Sequence, residues 1–246
     1  MADAANRAIR IAAETGSTNE DLLAALKAGE RVPEGEWLIA DRQTAGRGRQ
    51  GREWFDGAGN FMGSTVVWTG AADPPPHTLA LAAGLALRET ILPEIPSSSA
   101  LFLKWPNDCL LDGTKLSGIL LERDGDAIVI GIGVNLLRAP PLPDRRTIAL
   151  AEVAKPSSRD AFAVSLAKSL EAELERWRTY GLEPLLRRWQ ASAHPEGTPL
   201  RVHEAAGTVL SGTYAGLDET GALRLRLPDG NLLMVHAGDV AIAERN

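Results

Sequence analysis

The chain has 246 residues, 44% of them apolar, a formal net charge of −6 and one cysteine, Cys109. That length suits one large domain or a large and a small one, and the composition is that of an ordinary globular protein. A lone cysteine excludes an intrachain disulfide and a cysteine zinc site, the acidic balance argues against a general nucleic-acid binder, and no apolar run approaches the ~18 residues of a membrane span.

The opening MADAANRAIRIAAETG has no apolar core for a signal peptide, so a cytoplasmic protein is expected. Ile9 to Ala13 is predicted as a short edge strand. Ser17 and Glu20 fit a capping box, and DLLAALKAG continues as a helix closed by Gly29. Trp37 to Ala40 reads as a strand feeding Asp41 to Trp54, DRQTAGRGRQGREW. There Gly46, Gly48 and Gly51 lie among Arg42, Arg47, Arg49 and Arg52. Glycine lets backbone N–H groups approach a ligand, and arginine offers a fork of donors for carboxylate or phosphate. The stretch therefore reads as a cationic loop that wraps an anion. It also fits G-x-G-x-x-G, but no helix follows, so a dinucleotide fingerprint is rejected.

Phe61 to Thr69 reads as a buried strand rich in β-branched and aromatic residues. After Pro74 to Pro76, HTLALAAGLALRETIL is helical, with Leu81, Leu85 and Leu92 on one face. Leu101 to Trp105 is a short strand ended by Pro106, Asn107 and Asp108, and the Asp112-Gly113 turn predicts a hairpin with KLSGILLER. Ala127 to Val134, AIVIGIGV, is apolar at strand length and should lie centrally in a sheet. Arg138 to Arg146 is a proline-rich loop. Phe162, Leu166, Leu170, Leu174 and Trp177 have helical spacing over Arg159 to Tyr180, and a shorter helix holds Leu182, Leu185, Leu186 and Trp189. Ala193 to Gly197 reads as a linker. Beyond it, turns at Asp218 to Gly221 and Pro228 to Asn231, with Leu223, Leu225 and Leu227 alternating with Arg224 and Arg226, predict a small β-barrel.

Three more stretches set polar residues at strand ends. In Lys104-Trp105-Pro106-Asn107-Asp108 the proline stiffens a turn that leaves Asn107 and Asp108 to bind polar groups or magnesium; a plain Asn/Asp turn reads equally well. Lys115 opens a strand three residues before Gly118, where an ammonium could meet an anion, although an exposed edge lysine is the commoner case. Gly131 and Gly133 inside an apolar strand suggest close approach of a ligand or backbone, with Asn135 at its end.

Together these residues resemble the biotin protein ligase family. The resemblance rests on Ser17-Thr18-Asn19, Gln43 with GRGRQGR, then KWPND, KLSGILLE and IGIGVN in that order, and it spans nearly the whole chain. KWPND after the arginine motif is its most specific part. Gln50 departs from the family's usual arginine, and Thr147 stands near where some members place a tryptophan over the adenine.

The resemblance implies an α+β fold: a mixed-sheet catalytic domain related to class II tRNA synthetase cores (1–193), followed by an SH3-like β-barrel (198–246). It implies ATP-dependent biotinylation of a lysine on a carrier domain, such as that of acetyl-CoA carboxylase, through biotinyl-5'-adenylate. It assigns biotin to Ser17, Thr18, Asn19, Gln43, Gly46, Arg47, Lys115 and Gly118. It assigns ATP to Arg49, Arg52, Trp54, Lys104, Asn107 and Asn135. The chemistry falls to Lys115, Arg49, Arg47 and Asp108, with Asp108 as the magnesium ligand. Only 16 residues precede Ser17, too few for the DNA-binding domain of the family's repressors, so no specific DNA binding is expected. A homodimer is left open. A lipoate or octanoate ligase of the same superfamily is the nearest alternative, and a non-enzymatic RNA-binding module the alternative of another class.

Overall fold

The computed structural model describes residues 8–142, 145–203 and 208–243. Seven strands form a mixed sheet: β1 (Ile9–Ala12), β2 (Trp37–Ala40), β3 (Phe61–Trp68), β4 (Leu101–Lys104), β5 (Asp108–Leu111), β6 (Thr114–Asp124) and β7 (Ala127–Val134). Their order is β1-β2-β3-β7-β6-β5-β4, with β1 and β2 parallel and every other pair antiparallel. β1 is an edge strand and β7 lies centrally between β3 and β6, both as the sequence predicts.

Side-chain alternation divides this sheet into two faces. Trp37, Ile39, Phe61, Val67, Ile128, Ile130 and Ile132 pack into the larger core with helices α2 (Leu79–Ile91), α3 (Arg159–Tyr180) and α4 (Leu182–Ser192). The five helix-spaced residues of α3 are all buried. Full burial of such a side chain contributes about 1.5–3 kcal/mol, which explains why a 22-residue helix is laid along the sheet. On the opposite face, Leu38, Val66, Ala127 and Val129 form a smaller core with Leu22 and Leu26 of α1 (Thr18–Lys27). Helix α1 covers only part of that face. The remainder, where β7 carries Gly131 and Gly133 rather than large side chains, is open as a cleft.

β8 (Pro199–His203), β9 (Val209–Leu217), β10 (Leu223–Arg226), β11 (Leu232–Val235) and β12 (Asp239–Ile242) form an antiparallel sheet in the order β11-β10-β9-β8-β12. Its Leu200, Val202, Leu223, Leu225 and Val240 belong to the same core as the helices. Among the described residues no helix is long and apolar enough to cross a membrane.

Two local expectations are corrected and a third is refined. The Ser17 hydroxyl makes no capping bond and no box forms, because Glu20 is engaged by Arg47 instead. Leu92 leaves the buried face: α2 ends at Ile91 and a 3-10 turn around Pro93 swings Leu92 outward. The stretch Ala193 to Gly197 joins α4 to β8, and its first residues are packed. Ala193 bridges Leu103 of β4, and His194 is buried edge-on against Tyr214 with ring centroids 4.5 Å apart. The proline-rich loop is present over its described part, 138–142 and 145–146; residues 143–144 lie outside the described residues.

Candidate active site

The cleft, of about 430 Å³, opens between α1, the arginine loop and the strand ends of β6 and β7. Its floor follows from register. β5 and β6 shift register between Cys109 and Leu110, so β6 carries one extra residue near Leu116. That bulge brings Lys115 into phase with Gly118 and Leu120, all three facing the cleft, while Leu116 and Ile119 stay in the core.

The deep end is a chain of polar side chains. The Gln43 Oε1 accepts from the Thr18 backbone N–H at 2.8 Å and from the Thr18 hydroxyl at 3.0 Å. The Thr18 and Ser64 hydroxyls are 2.7 Å apart, and Ser64 donates to Asn19 Oδ1 at 2.5 Å. Asn19 Nδ2 donates to Glu122 at 2.8 Å. Both amides thus present oxygen inward. Two hydroxyl protons serve three oxygen–oxygen contacts, so this end is short of donors. It suits a ligand that brings N–H groups of its own. Ser17, Thr18, Asn19 and Gln43 are all buried here.

The middle is roofed by Trp54. A Cβ on Gly133 would run into its indole, and one on Gly118 would stand 3.2 Å from it. Both glycines therefore serve close approach, the reading made for Gly131 and Gly133 from sequence. At Gly131 the close neighbour is the Asn19 amide. The buried Trp54 Nε1 finds no hydrogen-bond partner among the described residues.

The other end is cationic. Lys115 Nζ stands 2.6 Å from one Asp108 oxygen and Lys104 Nζ 2.9 Å from the other. Burial pushes the Asp108 carboxyl up, but the two ammonium groups outweigh it and hold it far below the usual carboxylate range. Burial lowers Lys115, an effect the Asp108 charge offsets in part. Arg49 donates to Asn107 Oδ1 at 3.3 Å and is likewise lowered by burial. Arg52 reaches from the loop to Asp239 of β12, 2.7 Å away, and donates to Gln50 at 3.2 Å. Gln50 occupies a left-handed conformation, φ +58°, at the tip of the loop.

Most of the residues expected from sequence meet here: Ser17, Thr18, Asn19, Gln43, Arg47, Arg49, Arg52, Trp54, Asn107, Asp108, Lys115, Gly118 and Asn135 all line the cleft. Two do not. Lys104 sits behind the wall, its ammonium held by Asp108 and by the Val240 carbonyl at 2.6 Å. Gly46 lies under Gln43 and Trp54, where a Cβ would stand 2.9 Å from the Trp54 carbonyl. Asp108 has both oxygens engaged by lysines, which leaves it poorly suited to hold a magnesium ion. Among the described residues no group of three or more His, Cys, Asp or Glu is arranged for a metal. Sequence reasoning missed Ser64, Arg145 and Asp239, which also line the cleft.

The Biotin/lipoate A/B protein ligase family matches residues 15–135, and the Biotin protein ligase C terminal domain matches residues 200–242. The chain is 37% identical over 244 residues to the biotin--[acetyl-CoA-carboxylase] ligase of Mycobacterium tuberculosis, covering 95% of this chain and 88% of that one. It is 36% identical over 230 residues to the protein of the same name from Paracoccus denitrificans, covering 89% and 94%. The solved biotin protein ligase of Aquifex aeolicus in complex with biotin and ATP has the same fold, with a TM-score of 0.82 at 24% identity over 97% of this chain and 100% of that one.

Proposed function

This chain belongs to the biotin protein ligase family, and from that premise we infer how its cleft carries out ATP-dependent biotinylation of a carrier-domain lysine. The observation that carries the assignment of ends is the polarity of the cleft. A donor-poor, hydroxyl-lined end lies across Gly118 and Gly133 from a cluster of cations. The ureido ring of biotin brings two N–H groups to the first end. Its valeryl chain runs under Trp54, and its carboxylate arrives beside Lys115, whose ammonium is 3.4 Å from the Cβ position of Gly118.

The α-phosphate of ATP then meets the carboxylate between Lys115 and Arg49. Two anions must come together, and preorganised cations offset their repulsion most where charge builds up in the transition state. A carboxylate oxygen attacks the α-phosphorus, the bond to the bridging oxygen breaks, and pyrophosphate leaves with the electron pair. Lys115 is steered by Asp108, and Asn107 steers Arg49. Arg52 and Asn135 flank the nucleotide side of the cleft.

In the second step the neutral amine of a carrier lysine attacks the mixed anhydride carbonyl. The C–O bond to AMP breaks, an amide forms, and the amine's proton passes to solvent. The carrier domain of acetyl-CoA carboxylase is the proposed acceptor, as in the names of the relatives. Magnesium fits as an ion that accompanies the ATP phosphates, which it binds readily through phosphate oxygens and water. Lys104 acts through Asp108 rather than on the nucleotide.

The test is pyrophosphate release with ATP and one acid at a time. Biotin should support it and lipoate and octanoate should not, because neither offers N–H donors to the deep end. Equal release with octanoate would overturn the assignment of that end.

A further inference from the structure

We infer that Glu122 is a positioning residue that fixes the polarity of the deep end of the cleft and tethers the arginine loop. This rests on the ligase reading above. Glu122 lies on the cleft face of β6, in phase with Gly118 and Leu120, where the strand runs out past α1. One carboxylate oxygen accepts from Asn19 Nδ2 at 2.8 Å, and the other accepts from Arg47 Nη2 at 2.8 Å. Its side chain is 22% exposed, so the bond from Asn19 forms in a partly desolvated place where charge-assisted bonds are strong, whereas the bond from Arg47 lies nearer solvent.

The consequence for Asn19 is a matter of orientation. An amide can sit either way round, and its neighbours decide which. A carboxylate only accepts, so Glu122 takes the Asn19 NH₂ and turns Oδ1 toward Ser64. That in turn commits the Ser64 proton to Asn19. Thr18 donates to Gln43, whose oxygen is fixed by the Thr18 backbone N–H. The Asn19–Ser64 half of the acceptor-rich pattern that receives the ring N–H groups is therefore set from Glu122, although Glu122 is not among the residues lining the cleft. Gly131 is part of the arrangement, because a side chain there would displace the Asn19 amide.

The consequence for the loop runs through Arg47. Its guanidinium is shared between Glu122 and Glu20, the latter at 2.5 Å. Arg47 lies on the loop that also carries Arg49, and Gln43 stands at the loop's root. One carboxylate thus links the residues that read the ring to the segment that closes over the phosphate.

Glu122→Gln tests this. Its side chain offers one oxygen and one NH₂ where the carboxylate offers two oxygens, so either Asn19 or Arg47 must face a donor. The KM for biotin in pyrophosphate release should rise about tenfold or more, the scale of losing one charge-assisted hydrogen bond. The kcat at saturating biotin should stay within about threefold. Glu122→Asp, which keeps two acceptors, should lie between wild type and Gln. A Gln variant with a biotin KM within about twofold of wild type, or with a lowered kcat at unchanged KM, overturns the inference. So does an Asp variant no better than Gln. If the Gln protein is not recovered folded, the same split is read in Glu122→Ala. A wild type that releases no pyrophosphate with biotin and ATP instead sinks the ligase reading, and the positioning role with it.

Discussion

The Lys115 ammonium donates to Asp108 at 2.6 Å while the other oxygen of the same carboxylate is held by Lys104. One buried acid therefore serves a buried base, Lys104, and a half-buried one, Lys115, and their roles separate under mutation. Lys115→Ala leaves Asp108 its second partner, so the fold should survive while adenylate formation falls roughly 10²-fold, the scale for one charge-stabilising donor. Asp108→Asn leaves two ammonium groups without a counter-charge and should cost about 3–5 kcal/mol of stability. Urea denaturation beside pyrophosphate release separates the two effects; a fully stable Asp108→Asn protein would show that the lysines find other partners.

Gly133→Ala should destabilise by about 1–3 kcal/mol, the range for overpacking, because the new methyl meets the Trp54 indole. It should also weaken biotin binding as the indole is displaced. Gly70→Ala is the matched control, since nothing lies within 4 Å of its Cβ position. Calorimetric titration with biotin and a urea midpoint for each variant decide it.

Arg49 is tied to the cleft wall by one long bond to Asn107, 3.3 Å, in a loop with three glycines. Ordering such a loop costs entropy that an anionic ligand offsets. Arg49→Gly should still make adenylate but retain it poorly, so that the released anhydride acylates bystander lysines. Incubation with biotin, ATP and albumin, followed by a biotin blot, reads this out. Adenylate formed at a measurable rate without extra albumin labelling would remove Arg49 as the latch.

His194 is lowered to about 4 by burial, despite a hydrogen bond it donates to the Pro195 backbone carbonyl, which raises it. Unfolded, it titrates near its ordinary value of 6.5. Between those values the unfolded chain binds the extra proton, so stability rises with pH across the window and is lost as pH falls through it. The loss should be on the order of 3 kcal/mol by pH 4, from the size of the shift. The urea midpoint should drop between pH 6.5 and 4, and His194→Gln should flatten that drop.

Asp239→Ala removes the contact between the arginine loop and the second sheet. The pair is half exposed, so stability should change by less than about 1 kcal/mol. Trypsin should nonetheless cut more quickly at Arg47, Arg49 or Arg52. Unchanged cleavage would mean that the loop is held elsewhere.

The fold was legible where period carried it. AIVIGIGV announced a central strand, and the helix-spaced residues of α3 announced a helix laid on the core. The site was legible where a residue broke its own pattern: glycines in an apolar strand, arginines among glycines, Asn and Asp after a proline. Ser64 was not, since one hydroxyl among FMGSTVVW leaves no mark on an apolar run; only its phase with Met62 and Val66 could have pointed to the cleft. Asp239 was not, because a Gly-Asp pair opening a short strand looks like any turn. The capping role read for Ser17 failed, and the linker read at His194 missed its packing, for one reason. Both were local readings overridden by partners distant in the chain, Arg47 on Glu20 and Tyr214 on His194.

The bond from Arg52 to Asp239 spans 187 residues of chain. During synthesis the ribosome delivers the arginine loop long before it delivers the strand that anchors it. A nascent chain stalled between α4 and β12 already carries the floor of the cleft and its hydroxyl-lined end, with the loop held through Arg47 but lacking its anchor at Arg52. Such a partial product should bind biotin before it can keep a reactive anhydride, so premature release would yield a leaky enzyme rather than a silent one.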